Sequence, residues 1–440
     1  MAAVFVHVSD IHFGQERGGV KFVHDDVKKQ VLADAAREVA GTTEQKAAGI
    51  LVTGDIAYSG QHAEYKEAGA WLDKLAEVIC CKNTDVHVVP GNHDIDREQI
   101  SQSVGFLLSR VLDEGEGALD EILDNDIDRE IFYKRFKEYR PFAEGYNCSL
   151  DKDGNLKGKP PIELAPGRSL RFVGFNSALI CSKRKDEEGK LLLGARQRVL
   201  QVEDGEELVV LAHHPLHWLQ DSEQAKRYLR NRARVFISGH EHKPRVHVDP
   251  VKAGCDLMMI ASGAMVPPTA TEEYKYTYNI ITFDWDADSD DLLVTVKPRE
   301  WRDEDKAFRD APEQLDGNGP TFKLACPNYY TAKPTCPVPT HQARGDETSD
   351  APGPESAEEE SVINDDYAPL LLRYFRDLLP AQRIIVLVKL KALPDDWSEP
   401  LSHAMERGIV DRLAATGRLN DLGRAMDDLA NDNNGNGGAA

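Results

Sequence analysis

Seven side chains of the kinds that bind metal ions recur along this 440-residue chain, each after an apolar run. They are aspartates, histidines and one asparagine, with no cysteine. Oxygen and imidazole nitrogen ligands without thiolate suit Mn²⁺, Fe²⁺ or Zn²⁺ at a reactive centre better than a structural zinc site. Because one ion takes about four to six ligands, this set predicts two divalent ions with a shared ligand. The predicted ligands are Asp10, His12, Asp55, Asn92, His213, His240 and His242.

The apolar runs before these residues predict strands that are buried on both faces. They cover residues 4–8, 50–53, 86–89, 208–212 and 235–238, and they are continuous rather than alternating in valine, isoleucine and leucine. Helical patterns at 25–40 and 63–80 separate the first three. Alternation of strand and helix predicts a parallel sheet, whose strands end at one edge. We therefore expect the seven side chains to meet at that edge.

The motifs VSDIHFG, LVTGDIAYSG, VVPGNHD, VVLAHHP and FISGHEH resemble those of the calcineurin-like metallophosphoesterases over roughly residues 1–300. The resemblance implies an α/β fold, a four-layer α/β/β/α sandwich of two mixed sheets. It also implies that Asp55 bridges the two ions. One ion would be held by Asp10, His12 and His242, and the other by Asn92, His213 and His240. In the HHP motif the match favours His213 over His214.

The resemblance assigns His93 a different role, as the acid that protonates the leaving oxygen. Many family members orient this histidine with a carboxylate three residues after the bridging aspartate, and this chain has Tyr58 there. We expect another group, Asp94 or a backbone carbonyl, to hold His93 instead.

The activity that the resemblance implies is hydrolysis of a phosphate ester by a hydroxide that bridges two metal ions, and we expect a phosphodiester. Three alternatives remain open at this point: a nuclease, a phosphomonoesterase, and a non-catalytic scaffold of the same fold. Basic clusters at Lys134–Arg140, Lys183–Lys185 and Lys226–Arg234 permit nucleic acid as a substrate. The net charge of −22 argues against broad electrostatic binding of nucleic acid.

The chain divides into five parts by composition. We expect residues 1–300 to form the phosphoesterase domain, with a helical cap inserted at 95–168, and residues 301–340 to extend it. An acidic linker at 341–365 leads to a helical unit at 366–430 and a disordered tail at 431–440. The helical unit resembles adaptor domains of bacterial conflict-system effectors, which implies a protein partner. We expect it to be tethered rather than packed.

The cysteines and the N-terminus predict the compartment. Seven cysteines, an odd number without CxxC spacing, indicate reduced thiols. The opening MAAVFVHVSD has no secretory-signal pattern, and no apolar stretch is long enough to span a membrane. We expect a cytoplasmic protein with no membrane association.

Overall fold

Two β-sheets form the centre of the protein in the computed structural model, which describes residues 1–15, 21–150, 159–182, 187–249, 256–267, 275–331, 367–397 and 399–435. The described strands are β1 (Ala3–Val8), β2 (Gly49–Val52), β3 (Val86–Val88), β4 (Ile162–Ala165), β5 (Arg168–Gly174), β6 (Glu206–Leu211), β7 (Ala233–Ser238), β8 (Arg245–Asp249), β9 (Leu257–Ala261), β10 (Thr277–Asp286), β11 (Asp291–Arg302), β12 (Ala307–Asp310) and β13 (Thr321–Leu324).

Both sheets are mixed. The first has the order β12-β11-β10-β1-β2-β3, with β13 also paired to β11, and β1, β2 and β3 are parallel. The second has the order β4-β5-β6-β7-β9-β8, with β5, β6, β7 and β9 parallel. In the first sheet Val8 lies beside Val52, and Val52 beside Val88. The ends of these three strands are therefore level.

The described helices are α1 (Lys21–Ala40), α2 (His62–Val78), α3 (Gln102–Glu114), α4 (Glu116–Asp124), α5 (Asp126–Tyr133), α6 (Tyr139–Gly145), α7 (Ala195–Arg198), α8 (Ser222–Arg232), α9 (Pro327–Thr331), α10 (Tyr367–Leu371), α11 (Pro380–Lys389), α12 (His403–Ala415) and α13 (Leu419–Gly435). Among them, none combines the length and the apolar character that crossing a bilayer would require.

Alternate residues of the strands build two layers of core. Phe5 of β1 faces the other sheet, where its ring meets that of Phe172 at 4.8 Å. Its neighbours Val4 and Val6 belong to the cluster that contains the buried faces of α1, α2 and α8. Helices thus cover the outer face of each sheet, which confirms the α/β/β/α sandwich.

The insertion at 95–168 is part of the main core. Val104, Leu108, Phe132 and Phe136 from its helices are buried in the same cluster as the strands and α1, α2 and α8. The predicted cap therefore shares the core of the phosphoesterase domain. A role of the insertion over the metal centre stays a prediction.

The C-terminal helical unit packs on the phosphoesterase domain, so the expectation of a merely tethered unit is wrong. Its own core joins α10, α11, α12 and α13, together with a π-helical turn at Leu372–Asp377. Leu372 also enters the main core. Arg376 donates to both carboxylate oxygens of Asp73 in α2, at 2.8 and 3.0 Å. Buried Glu144 of α6 accepts hydrogen bonds from His403, at 2.7 Å, and from Arg407.

Two boundaries differ from the sequence-based ones. The strands of the first sheet continue beyond residue 300, because β11 extends to Arg302 and pairs with both β12 and β13. Helix α13 extends to Gly435, although we expected a disordered tail from 431. The predicted linker at 341–365 lies outside the described residues, as do 436–440.

Candidate metal centre

The predicted ligands sit directly beyond the ends of parallel strands. Asp10 and His12 follow β1, Asp55 follows β2, and Asn92 follows β3. In the second sheet His213 follows β6, and His240 and His242 follow β7. The sandwich therefore brings together the ends of two sheets, and all seven residues with them.

Five of these seven residues have a left-handed backbone, which is uncommon outside glycine. Their φ angles lie between 51° and 71°, at Asp10, His12, Asp55, His240 and His242. Such a conformation costs free energy and persists only where the surrounding structure enforces it. The concentration of strained residues at these strand ends marks a functional site.

Asp55 lies between two groups of side chains. Its Oδ2 is 3.3 Å from Nε2 of His12 and 3.3 Å from Nε2 of His213. Its Oδ1 accepts a hydrogen bond of 2.7 Å from the backbone N–H of His93. One carboxylate therefore faces both groups, as a bridging ligand must.

Each of the two groups brings further donor atoms close together. On one side, Nε2 of His242 is 3.1 Å from Oδ1 of Asp10. On the other, Nε2 of His213 is 3.2 Å from Oδ1 of Asn92 and 3.1 Å from Nδ1 of His240. Ligand atoms of Asp10, His12 and His242 lie within 4.8 Å of one another, and so do those of His213, His214 and His240. This set of buried oxygen and nitrogen donors fits divalent metal ions.

Backbone carbonyls fix the orientation of two of the imidazoles. Nδ1 of His12 donates to the carbonyl of Val266 at 3.2 Å, and Nδ1 of His213 donates to that of Thr53 at 2.8 Å. Each bond fixes the tautomer that leaves Nε2 unprotonated towards the centre, which is the form that binds a metal. Sequence reasoning missed these partners, because a carbonyl acceptor carries no residue-type signal.

Two glycines allow the loops to approach the carboxylates. A Cβ on Gly91 would lie 2.2 Å from Oδ1 of Asp55, and one on Gly239 would lie 2.0 Å from Oγ of Ser9. Ser9 in turn donates a 2.6 Å hydrogen bond to Asp10, a contact that the sequence analysis also missed. The glycines of the GNHD and SGHEH motifs are therefore required by close packing.

The electrostatics of the centre favour charged carboxylates. Burial alone would raise the pKa of Asp55, but His213 and His93 hold it well below its ordinary value. Burial alone would lower the pKa of His213, but the carboxylate of Asp55 raises it to about 9. Without a metal ion, the Asp55 carboxylate therefore favours a protonated His213 imidazole. A metal cation at the centre would take the place of that proton beside the carboxylate.

His93 lies at the edge of this centre, held by a backbone carbonyl. Its Nδ1 donates to the carbonyl of Tyr58 at 2.7 Å, and its ring stacks on the Tyr58 ring with centroids 5.1 Å apart. Its ring centroid is 5.0 Å from that of His12. Tyr58, at the position where many family members have an orienting carboxylate, thus orients His93 through its backbone carbonyl.

Asp94 supports the loops, because its carboxylate accepts hydrogen bonds from groups other than His93. It accepts hydrogen bonds from the backbone N–H groups of Ile56, Ala57 and Gly91 and from the hydroxyl of Tyr65, at 2.9–3.2 Å. Burial and the charge of Asp55 raise its pKa to about 7. Asp94 thus holds the loop that carries His93, and the second expected group, a backbone carbonyl, holds the imidazole itself.

His214 is buried behind the predicted ligands. Its Nδ1 is 2.9 Å from Oγ of Ser177, and its ring centroid is 4.5 Å from that of His240. Burial lowers its pKa well below the ordinary value. His213, rather than His214, contacts the Asp55 carboxylate.

Comparisons with known proteins match two parts of this chain to family models. The model of the calcineurin-like phosphoesterase family matches residues 3–244, and that of the GTPase-associated adaptor domain matches residues 366–428. The uncharacterized metallophosphoesterase-like protein YydB of Bacillus subtilis is 25% identical over 316 residues, which cover 67% of this chain. The matched part spans 59% of that relative's length.

Two solved structures, one a short chain and one a longer chain, align with this protein. Purple acid phosphatase PPD1 of yellow lupin (Lupinus luteus) aligns with 74% of this chain and 54% of its own, at 10% identity and a TM-score of 0.37. A Vps29 mutant of Entamoeba histolytica aligns with 73% of this chain and 99% of its own, at 12% identity and a TM-score of 0.31. The superpositions are loose and say nothing of substrate.

Proposed function

Because this chain belongs to the calcineurin-like phosphoesterase family, we propose that its histidine and aspartate centre holds two divalent metal ions and hydrolyses a phosphodiester. The observation that carries the proposal is the position of Asp55. Its Oδ2 lies 3.3 Å from a histidine nitrogen of each group. A buried carboxylate between two sets of nitrogen and oxygen donors is the arrangement that two ions with a common ligand require.

The two groups define the proposed division of ligands. Asp10, His12 and His242 would hold one ion. Asn92, His213 and His240 would hold the other, and Asp55 would be shared. The absence of thiolate among them favours Mn²⁺, Fe²⁺ or Zn²⁺. When bound, such ions lower the pKa of water and neutralise negative charge on phosphoryl oxygens.

His93 is the residue that would move a proton in this reaction. Its Nδ1–H is committed to the Tyr58 carbonyl at 2.7 Å, so the proton for the leaving oxygen would come from Nε2. Burial lowers its pKa, so the doubly protonated form that can donate from Nε2 is a minority at neutral pH but a stronger acid. The stacked, partly exposed ring of Tyr58 offers an apolar face beside His93, which suits the organic substituent of a diester.

The helical unit would recruit a partner. The adaptor-domain match points to a GTPase as the class of protein. Leu379, Ile385 and Met405 are large apolar side chains exposed on this unit and are available for such a contact. The described cysteines form no disulfide with one another, which accords with the cytoplasm as the proposed compartment.

A panel of substrates tests the proposed activity. The full-length chain with Mn²⁺ is assayed on a generic phosphodiester, a generic phosphomonoester, cyclic nucleotides, and single- and double-stranded DNA. We expect the diester to have the highest kcat/KM. His213→Ala should abolish turnover, whereas His247→Ala, an exposed histidine of β8, should leave it unchanged. Preference for the monoester or for DNA would overturn diester specificity, and no turnover of any substrate would overturn catalysis.

A further inference from the structure

A cavity of about 280 Å³ lies where the C-terminal helical unit meets the insertion and α2. Its volume is just below the usual range for small-molecule sites, about 300–1,000 Å³. None of the seven predicted metal ligands lines it. Tyr65 does line it, and the Tyr65 hydroxyl donates to Asp94, the residue that follows His93. The cavity is thus separate from the metal centre but linked to the loop that carries the proposed acid.

The cavity wall is basic, although the chain as a whole has a net charge of −22. Six lysine and arginine side chains line it against three glutamates. Arg140 pairs with Glu130, and Arg383 with Glu406. Lys66 and Lys134 are exposed, and neither has an ion-pair partner in the part of the chain that the structure describes. The positive charge at the mouth of the cavity is therefore available to an anion.

The basic cluster at Lys226–Arg234 has part of its charge in ion pairs. Lys226 and Arg230 of α8 both pair with Asp249, and Arg234 lies against Glu207. The cluster at 183–185 lies outside the described residues. Among the basic clusters that the structure describes, the one at Lys134–Arg140 combines unpaired charge with a cavity.

The residues that line the cavity combine a buried donor with aromatic and apolar side chains. Arg140 is 9% exposed, and its Nε–H has no hydrogen-bond partner among the described residues. Its guanidinium lies over the Tyr133 ring at 5.5 Å, and that of Arg383 lies over the Phe375 ring at 5.8 Å. A buried unsatisfied donor is costly unless a ligand accepts from it. The walls suit an occupant with a planar apolar part and an anionic group.

We propose that this cavity binds a phosphate-bearing ligand of mononucleotide size, with its phosphate at the Lys66 and Lys134 mouth and its planar part against the aromatic wall. Residues from the helical unit, the insertion and α2 would contact the same molecule. Its binding would hold the adaptor-type unit on the phosphoesterase domain. The proposal is independent of the reaction at the metal centre.

Equilibrium dialysis of the full-length chain tests this site, with AMP and GMP as ligands and with adenosine and inorganic phosphate as partial ones. Chromatography confirms afterwards that each ligand is intact. We expect the nucleotides to bind at least about tenfold more tightly than either part alone, since both the charged and the planar contacts contribute. The Lys66→Glu/Lys134→Glu double variant should bind at least about tenfold more weakly. Circular dichroism verifies that it is folded.

Two controls separate this cavity from other sites. Lys46→Glu makes the same lysine-to-glutamate change at a single exposed lysine outside the cavity, and this variant should bind nucleotide as the wild type does. Asn92→Ala alters the metal centre and should also retain nucleotide binding. No saturable binding at about 1 mM nucleotide would overturn the proposal. The proposal would also be overturned if the folded double variant bound nucleotide as tightly as the wild type. It would likewise be overturned if Asn92→Ala abolished nucleotide binding and the double variant did not.

Discussion

Replacing Glu144 with glutamine should weaken the contact that holds the helical unit on the insertion. The Glu144 carboxylate is 1% exposed and accepts hydrogen bonds from His403 and Arg407 of the helical unit and from Ser149. Burial alone would raise its pKa, but these partners lower it from 4.5 to about 2. Glutamine keeps the size of the side chain and removes the charge.

The magnitude follows from the shift in pKa. A lowering from 4.5 to about 2 corresponds to about 3 kcal/mol of stability at neutral pH. Because the folded-state pKa is the lower one, this contribution is complete above pH 4.5 and is lost as the pH falls towards 2. About 1 kcal/mol is lost by pH 4 and about 2 kcal/mol by pH 3. The glutamine variant has no such dependence.

Urea unfolding of the full-length chain measures this contribution. The free energy of unfolding of Glu144→Gln should be about 3 kcal/mol below that of the wild type at pH 7, and the gap should narrow to about 2 kcal/mol at pH 4. Asp113→Asn changes an exposed carboxylate of the same insertion and should match the wild type at both pH values. A gap under about 0.5 kcal/mol at pH 7, or one that does not narrow in acid, would refute the reasoning.

His93→Ala should retain bound metal and lose roughly 10²–10⁴ in rate. The loss should be smaller for a nitrophenyl ester than for an alkyl ester, because the nitrophenolate leaving group needs no proton. Equal losses for the two esters in kinetic assays would argue for a positioning role of His93. Arg376→Ala removes the bidentate contact with Asp73 and should make the helical unit more sensitive to limited proteolysis, so unchanged cleavage would count against that contact as an anchor. Truncation after residue 345 should lower the thermal midpoint yet keep turnover of a small ester, and an inactive folded chain would mean that the unit completes the site. Asp94→Ala should lower both stability and turnover, because the backbone N–H groups of the loops lose the carboxylate that accepts their hydrogen bonds. An unchanged thermal midpoint in calorimetry would exclude this supporting role of Asp94.

The apolar pattern was sufficient to predict parallel strands and to place the seven predicted ligands at their ends, whereas the sandwich of two sheets came from the family resemblance. Each ligand directly follows a continuous apolar run, so the local pattern indicates both the strand and the end at which the side chain must lie. The bridging position of Asp55 came from the family resemblance rather than from spacing. The structure places its carboxylate between the two groups.

The sequence could not predict the contacts that depend on tertiary packing. The carbonyls of Tyr58 and Val266, which orient two histidines, have no residue-type signal. The docking of the helical unit rests on pairs such as Arg376 with Asp73, which are 303 positions apart. Amphipathic stripes indicate that helices have apolar faces, but they do not identify the surface that covers them.

Metal content measured together with turnover for Asp55→Asn tests the central claim most directly. We expect elemental analysis to find two divalent ions per wild-type chain, and the variant to lose metal and turnover together, because the shared carboxylate serves both groups. Asp113→Asn, the same chemical change on the surface, should retain both. An Asp55→Asn variant with full metal content and normal turnover would contradict the account.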